Sequence, residues 1–169
     1  PVRSGGSATA EEKKHAYELM GKILRLLCNK YGWPTQIICD SGNGYHLLFR
    51  TNLTCEQRRH ITTALKALTE HFSTPQVKID AGVDDAAQIT RCYGTLNRKG
   101  DNTAERPWRY SKASERGGNE ILSQRQLEVL PIIYPPTSPA PKTPTPKQER
   151  TKPSIPYTGQ RYDVPAILA

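Results

Sequence analysis

Apolar positions recur along the first half of the chain with two different periods, and the change of period marks where helices give way to strands. Thr9 and Glu12 form a capping box, after which Ala16, Leu19, Ile23, Leu26 and Leu27 follow at helical spacing. Gly32 and Pro34 end that helix near Tyr31. Thr35–Asp40 (TQIICD) reads as a β-branched strand, Ser41-Gly42-Asn43-Gly44 as a turn, and Tyr45–Arg50 (YHLLFR) as an alternating strand. Thr54 and Gln57 form a second capping box, which opens a helix with Ile61, Leu65, Leu68 and Phe72 in one apolar stripe. Ser73–Pro75 stops it, and Gln76–Asp80 (QVKID) predicts another short strand.

The resulting order, α-β-β-α-β, becomes β-α-β-β-α-β when one strand is placed in front. That is the split βαβ, ferredoxin-like unit of RNA-recognition modules and of many polymerase palms, an α+β fold. The absent strand is central in that unit, so the visible strands are not expected to form one continuous sheet without it. The chain begins at Pro1, and the expectation is that the domain starts upstream of it.

Strand alternation puts Tyr45, Leu47 and Phe49 on one face, to pack against the helices, and His46, Leu48 and Arg50 on the other. In QVKID, Val77 and Ile79 alternate with Lys78 and Asp80. If the apolar pair joins the same core, Lys78 and Asp80 share the uncovered face with His46. An imidazole, an ammonium and a carboxylate on one open sheet face suit metal and phosphate. The two glycines of the Ser41–Gly44 turn permit close approach of backbone to an anion, although the same string also suits an ordinary hairpin.

Composition narrows the partners. A net charge of +8 over 169 residues favours polyanions, or else marks a merely soluble basic protein. Cys28, Cys39, Cys55 and Cys92 contain no CxxC pair, which weakens zinc-ribbon and redox readings. Cys28, Cys39 and Cys92 have apolar neighbours and read as small buried hydrophobes of a reducing cytosol. No apolar run is long enough for a membrane span and no signal-peptide pattern is present, so a cytoplasmic chain without membrane partners is expected. Ten of the 14 prolines lie from Pro131 onward, which divides the chain into a domain, 1–130, and an extended linker-like tail, 131–169, expected to be disordered.

The strings SGNGYHLLFR, VKID and YGTLNRKGDNTAERPWR resemble the archaeo-eukaryotic primase superfamily, in particular the primase-polymerase domains of phage, plasmid and mobile-element replication proteins. The resemblance spans about Pro1 to Tyr110. It implies a DNA primase or polymerase, a template-directed nucleotidyltransferase working by two metal ions. The family's second motif falls on Ser41 to His46 and its third on Asp80, which the resemblance makes a metal ligand. The first, an acidic pair on a strand, is absent, and Pro1–Gly6 looks like the stretch that follows it. The resemblance therefore implies Mg²⁺ or Mn²⁺ with the other ligands upstream of Pro1, and a chain inactive on its own. It gives His46 a phosphate-binding role beside Ser41, Gly42 and Gly44, and lets Lys78, Arg91, Arg98 and Lys99 neutralise phosphates. Similar sequences often carry arginine where Gln88 stands here.

Between Arg91 and Arg116 there are seven Lys or Arg and three Asp or Glu, interleaved with Trp108 and Tyr110. Arg106, Trp108 and Arg109 are the expected contacts to single-stranded DNA in that stretch. The implied partners are single-stranded template and (deoxy)nucleoside triphosphates, with a helicase module beyond the tail. Two other readings share the topology. A noncatalytic single-strand-binding module carries exposed aromatics on its sheet face, where His46, Lys78 and Asp80 are expected here. A nicking initiator needs a His-x-His pair, which His15, His46, His60 and His71 do not supply.

Overall fold

The computed structural model describes residues 5–84, 88–114, 117 and 119–137. Helix α1 (Ala10–Leu24) starts at the Thr9–Glu12 capping box and runs on as a π-helical turn over Arg25–Lys30. Gly32, at φ +63°, turns the chain out of it. Strands β1 (Ile37–Asp40) and β2 (Tyr45–Leu48) form an antiparallel hairpin with Ile37 opposite Leu48 and Asp40 opposite Tyr45. The second capping box opens a single 3₁₀ turn, Cys55–Gln57, from which α2 (Arg58–Phe72) continues.

Ala16, Leu19, Ile23 and Leu27 of the first helix meet Ala64 and Leu68 of α2 in one core, with Tyr45, Leu47 and Phe49 packed against it. The helix-facing side of the hairpin is thus the side that alternation predicts. Trp33 and Phe49 meet edge to face there, with ring centroids 5.0 Å apart.

Past α2 the structure departs from expectation. Gln76–Asp80 is not a strand. Val77 is buried and Ile79 packs on the core, but their backbone groups bond to the end of α2 and not to a ladder. Val77 N–H donates to Thr74 Oγ1 (3.0 Å), Ile79 N–H to Ser73 Oγ (3.0 Å), and Thr69 Oγ1 donates to Ile79 O (3.2 Å). Hydroxyls of the helix end supply the partners that a neighbouring strand otherwise gives.

Two short strands, β3 (Leu96–Asn97) and β4 (Arg109–Tyr110), pair with each other, and β5 (Lys112–Ala113) joins the first sheet beside β1, giving the order β2-β1-β5. The three predicted strands thus do not make one sheet, since Gln76–Asp80 is not a strand; β1 and β2 are joined by β5 from far along the chain, and β3 and β4 form a separate pair. Ser111, fully buried between β4 and β5, is the pivot where the chain leaves one sheet for the other. Its N–H and Oγ both donate to Thr95 O at 2.9 Å, and its carbonyl accepts Gly94 N–H at 2.9 Å.

Helix α3 (Gln124–Ile133), capped by Ser123, packs on α2 and buries Leu127 and Leu130. The compositional boundary at Pro131 falls inside this helix, and the compact unit extends to Thr137. Burial of Leu127 and Leu130 on one side and Tyr134 on the other holds Pro131 in helix despite its missing N–H. The tail from Ser138 onward lies outside the described residues. Among the described residues the architecture is α+β, and no helix is long and apolar enough to cross a membrane.

Candidate functional site

The β1–β2 register sets Cys39 opposite His46, so their side chains share the face turned away from α1. This face is not fully open. Tyr93 lies over it, with its phenolic oxygen 2.6 Å from His46 Nδ1 and the two ring centroids 6.0 Å apart. Cys39 is fully buried beside the same phenol, whereas Cys92, expected to be buried, is exposed. Tyr93 is aimed by the tight turn around it. Thr95 Oγ1 donates to Cys92 O (2.7 Å), Gly94 takes φ +92°, and Ser111 ties the turn to the sheet.

Two charges act on the half-buried His46. Burial lowers its pKa first, the Arg91 guanidinium lowers it further, and the Asp80 carboxylate opposes both. The imidazole is therefore neutral at neutral pH. Arg91 and Asp80, 45 and 34 positions from His46 in sequence, both act on it electrostatically in the fold. Asp80 is exposed, and one of its oxygens caps the following turn by accepting Gly82 N–H (2.8 Å). Lys78 is exposed. Beside His46, Ile37 and Leu48 form a cross-strand pair, each 38% exposed.

The other expected site residues serve different ends. Ser41 Oγ donates to Gly44 O (3.0 Å) and accepts Gly44 N–H (3.0 Å), while Gly42 N–H donates to Asp40 Oδ1 (2.7 Å). The hydroxyl and the glycine amides expected to cradle a phosphate are thus spent within the turn. Asn43 Oδ1 accepts Ala8 N–H (3.0 Å), and Lys13 Nζ reaches Asp40 Oδ2 at 2.6 Å, so the turn is bound to the start of α1 on two sides. Asn97, 4% exposed, donates to Ser41 O at 2.7 Å and closes a third side.

Arg106 and Arg109, expected to bind nucleic acid, pin down the N-terminal segment in this fold. Arg106 pairs with Glu12 and donates to Ser7 O (2.7 Å), and Arg109 Nη1 donates to Ala8 O (2.6 Å). Trp108 Nε1–H donates to Gly100 O (2.8 Å), and the Arg98 guanidinium lies 5.3 Å from its ring centre. Lys99 is exposed, and its carbonyl accepts the Ser7 hydroxyl (2.9 Å). Buried backbone carbonyls need donors, and the arginines supply them before any ligand is considered.

Tyr93 and Ser111 are the residues that sequence reasoning missed. The opposition of Cys39 and His46 was readable from the hairpin register, but nothing local says that Tyr93 folds onto that pair. No group of three His, Cys, Asp or Glu side chains among the described residues comes together as a metal site. Asp80 alone, with one oxygen committed to Gly82, does not fit a two-ion centre. Comparison with family models, with curated proteins and with solved structures found no match.

Proposed function

We propose that this chain is the nucleotide-binding part of a primase-polymerase-type nucleotidyltransferase, built on a ferredoxin-like palm. His46 donates a hydrogen bond to the triphosphate of an incoming nucleotide, Arg91 supplies positive charge beside it, and Lys78 adds to the field. The observation that carries the reading is the grouping around His46. A neutral imidazole fixed at Nδ1 by Tyr93 stands within the fields of Arg91 and Asp80 on a sheet face not occupied by helices. A neutral imidazole N–H is a suitable phosphate donor, and burial sharpens it by lowering the local dielectric.

The palm reading is supported by the β1–β2 hairpin between two helices that cover one of its faces. Among the described residues β2 pairs only with β1 in the sheet, so its outer edge is available for the strand that would complete a β-α-β-β-α-β unit. Template DNA and a helicase module remain expectations of the resemblance, with Arg98 and Lys99 as exposed cations on the β3–β4 connection.

A fluorescent deoxyadenosine triphosphate titrated into the chain, with unlabelled single-stranded oligonucleotide as competitor, tests this reading. Saturable nucleotide binding that excess triphosphate reverses is the expected result. Oligonucleotide binding without nucleotide binding would assign the face to a noncatalytic single-strand-binding module instead.

A further inference from the structure

His46 has two ring nitrogens, and the structure treats them differently. Nδ1 is 2.6 Å from the Tyr93 oxygen. Nε2 has no hydrogen-bond partner among the described residues, and it is not one of the sealed, unpartnered polar atoms there, which are Trp33 Nε1 and Asn97 Oδ1. One nitrogen is thus held by the protein and the other is left accessible.

We infer that Tyr93 is a positioning residue, whose hydroxyl donates to Nδ1 and so holds His46 as the neutral tautomer with its proton on Nε2, directed outward as a donor. A neutral imidazole carries one N–H, so a donor facing Nδ1 forces the proton onto the other nitrogen. The competing acceptor for the phenolic proton is the Cys39 sulfur, buried against the same ring. Sulfur is a weak acceptor and imidazole nitrogen a strong one, so the proton goes to Nδ1. The Thr90 hydroxyl beside the phenol favours the same polarity, because its influence is that of a donor to the phenolic oxygen. Ser111 and the Cys92–Thr95 turn fix the phenol in place, so the preference is built into the fold before any ligand arrives.

This inference rests on reading His46 as a phosphate donor, but its test does not. Long-range ¹H–¹⁵N spectra of the imidazole rings, with His46 assigned by its loss in His46→Ala, report the tautomer directly. The wild type is expected to show a protonated Nε2 and an unprotonated Nδ1 at neutral pH. Tyr93→Phe keeps the ring and removes the hydroxyl, and it is expected to give a mixture of both tautomers under an otherwise superimposable amide spectrum. A wild-type proton on Nδ1, or an unchanged tautomer in Tyr93→Phe, overturns the inference. With inorganic tripolyphosphate as probe, Tyr93→Phe is further expected to bind roughly 3- to 10-fold more weakly, the scale of one misdirected hydrogen bond. If the tautomer behaves as stated and wild-type chain ignores tripolyphosphate, the positioning role stands and the phosphate reading fails.

Discussion

Arg106 closes on Glu12 with both ends of its guanidinium, Nη1 at 2.9 Å from Oε2 and Nη2 at 3.0 Å from Oε1, across 94 positions of sequence. The same carboxylate accepts Thr9 N–H at 2.9 Å, so a helix cap and a long-range ion pair share one group. The bond from Arg106 is the main reason the Glu12 carboxyl is lowered from 4.5 to about 2, with burial opposing and the Thr9 bond assisting. A carboxyl depressed in the folded state contributes stability above its unfolded value and loses it as pH falls toward the folded one. Stability is therefore expected to decline as pH drops from 4.5 to about 2, and Glu12→Gln is expected to flatten that part of the profile. Urea midpoints measured across that pH range check it.

Gly42 sits at φ +88°, and a Cβ built there lies 2.8 Å from Arg109 O and 3.0 Å from Asn97 Cβ. Neither neighbour is the free end of a flexible chain. Gly42→Ala is expected to cost about 1–3 kcal/mol and to loosen the turn against β3 and β4. Chemical denaturation together with amide exchange at Ser41 and Gly44 reads both effects.

Leu130 is fully buried on the α2-facing side of α3, at the residue where composition placed the end of the domain. Leu130→Ala is expected to cost about 2–5 kcal/mol, as for a core leucine. A fragment ending at residue 130 is expected to be less stable than one ending at 137, by thermal melting, because it loses Tyr134, which packs on Phe72 at 5.0 Å.

Asp80 belongs to no group of three or more His, Cys, Asp or Glu side chains that could hold a metal ion among the described residues. The purified chain is accordingly expected to make no primer on a single-stranded template with Mg²⁺ or Mn²⁺ supplied. Labelled-product gels decide the matter, and primer made by the chain alone, but not by Asp80→Ala, would show that its own residues suffice.

Much of the fold could be read locally. Both capping boxes, the stop at Gly32, the hairpin and the sorting of Tyr45, Leu47 and Phe49 toward the helices follow from short-range chemistry that survives in the folded chain. What could not be read depends on distant pairing. β3, β4 and β5 are two residues long each, too short for a period, and Ser111 gives no sign in sequence that two sheets meet there. Val77–Asp80 has the alternation of a strand, but alternation only says which side chains are buried. The hydroxyls of Thr69, Ser73 and Thr74 decide where its backbone bonds go. Arg106 and Arg109 mislead for a related reason. A basic run interleaved with aromatics has the same composition whether it faces a polyanion or, as here, the carbonyls of Ser7 and Ala8. Of the expected site, the sheet-face argument for Asp80 fails because Gln76–Asp80 is not a strand, although the Asp80 carboxylate still acts electrostatically on His46, and Tyr93 came from a turn fixed only in three dimensions.

The central claim is that His46 and Arg91 bind a nucleotide triphosphate, and calorimetric titration of deoxyadenosine triphosphate tests it most directly. Wild-type chain should bind it saturably, and His46→Ala and Arg91→Ala should each weaken binding roughly 10- to 100-fold, the loss expected for a hydrogen bond to a charged group. Equal affinity in wild type and both variants, or no binding by a folded wild type, would contradict the account.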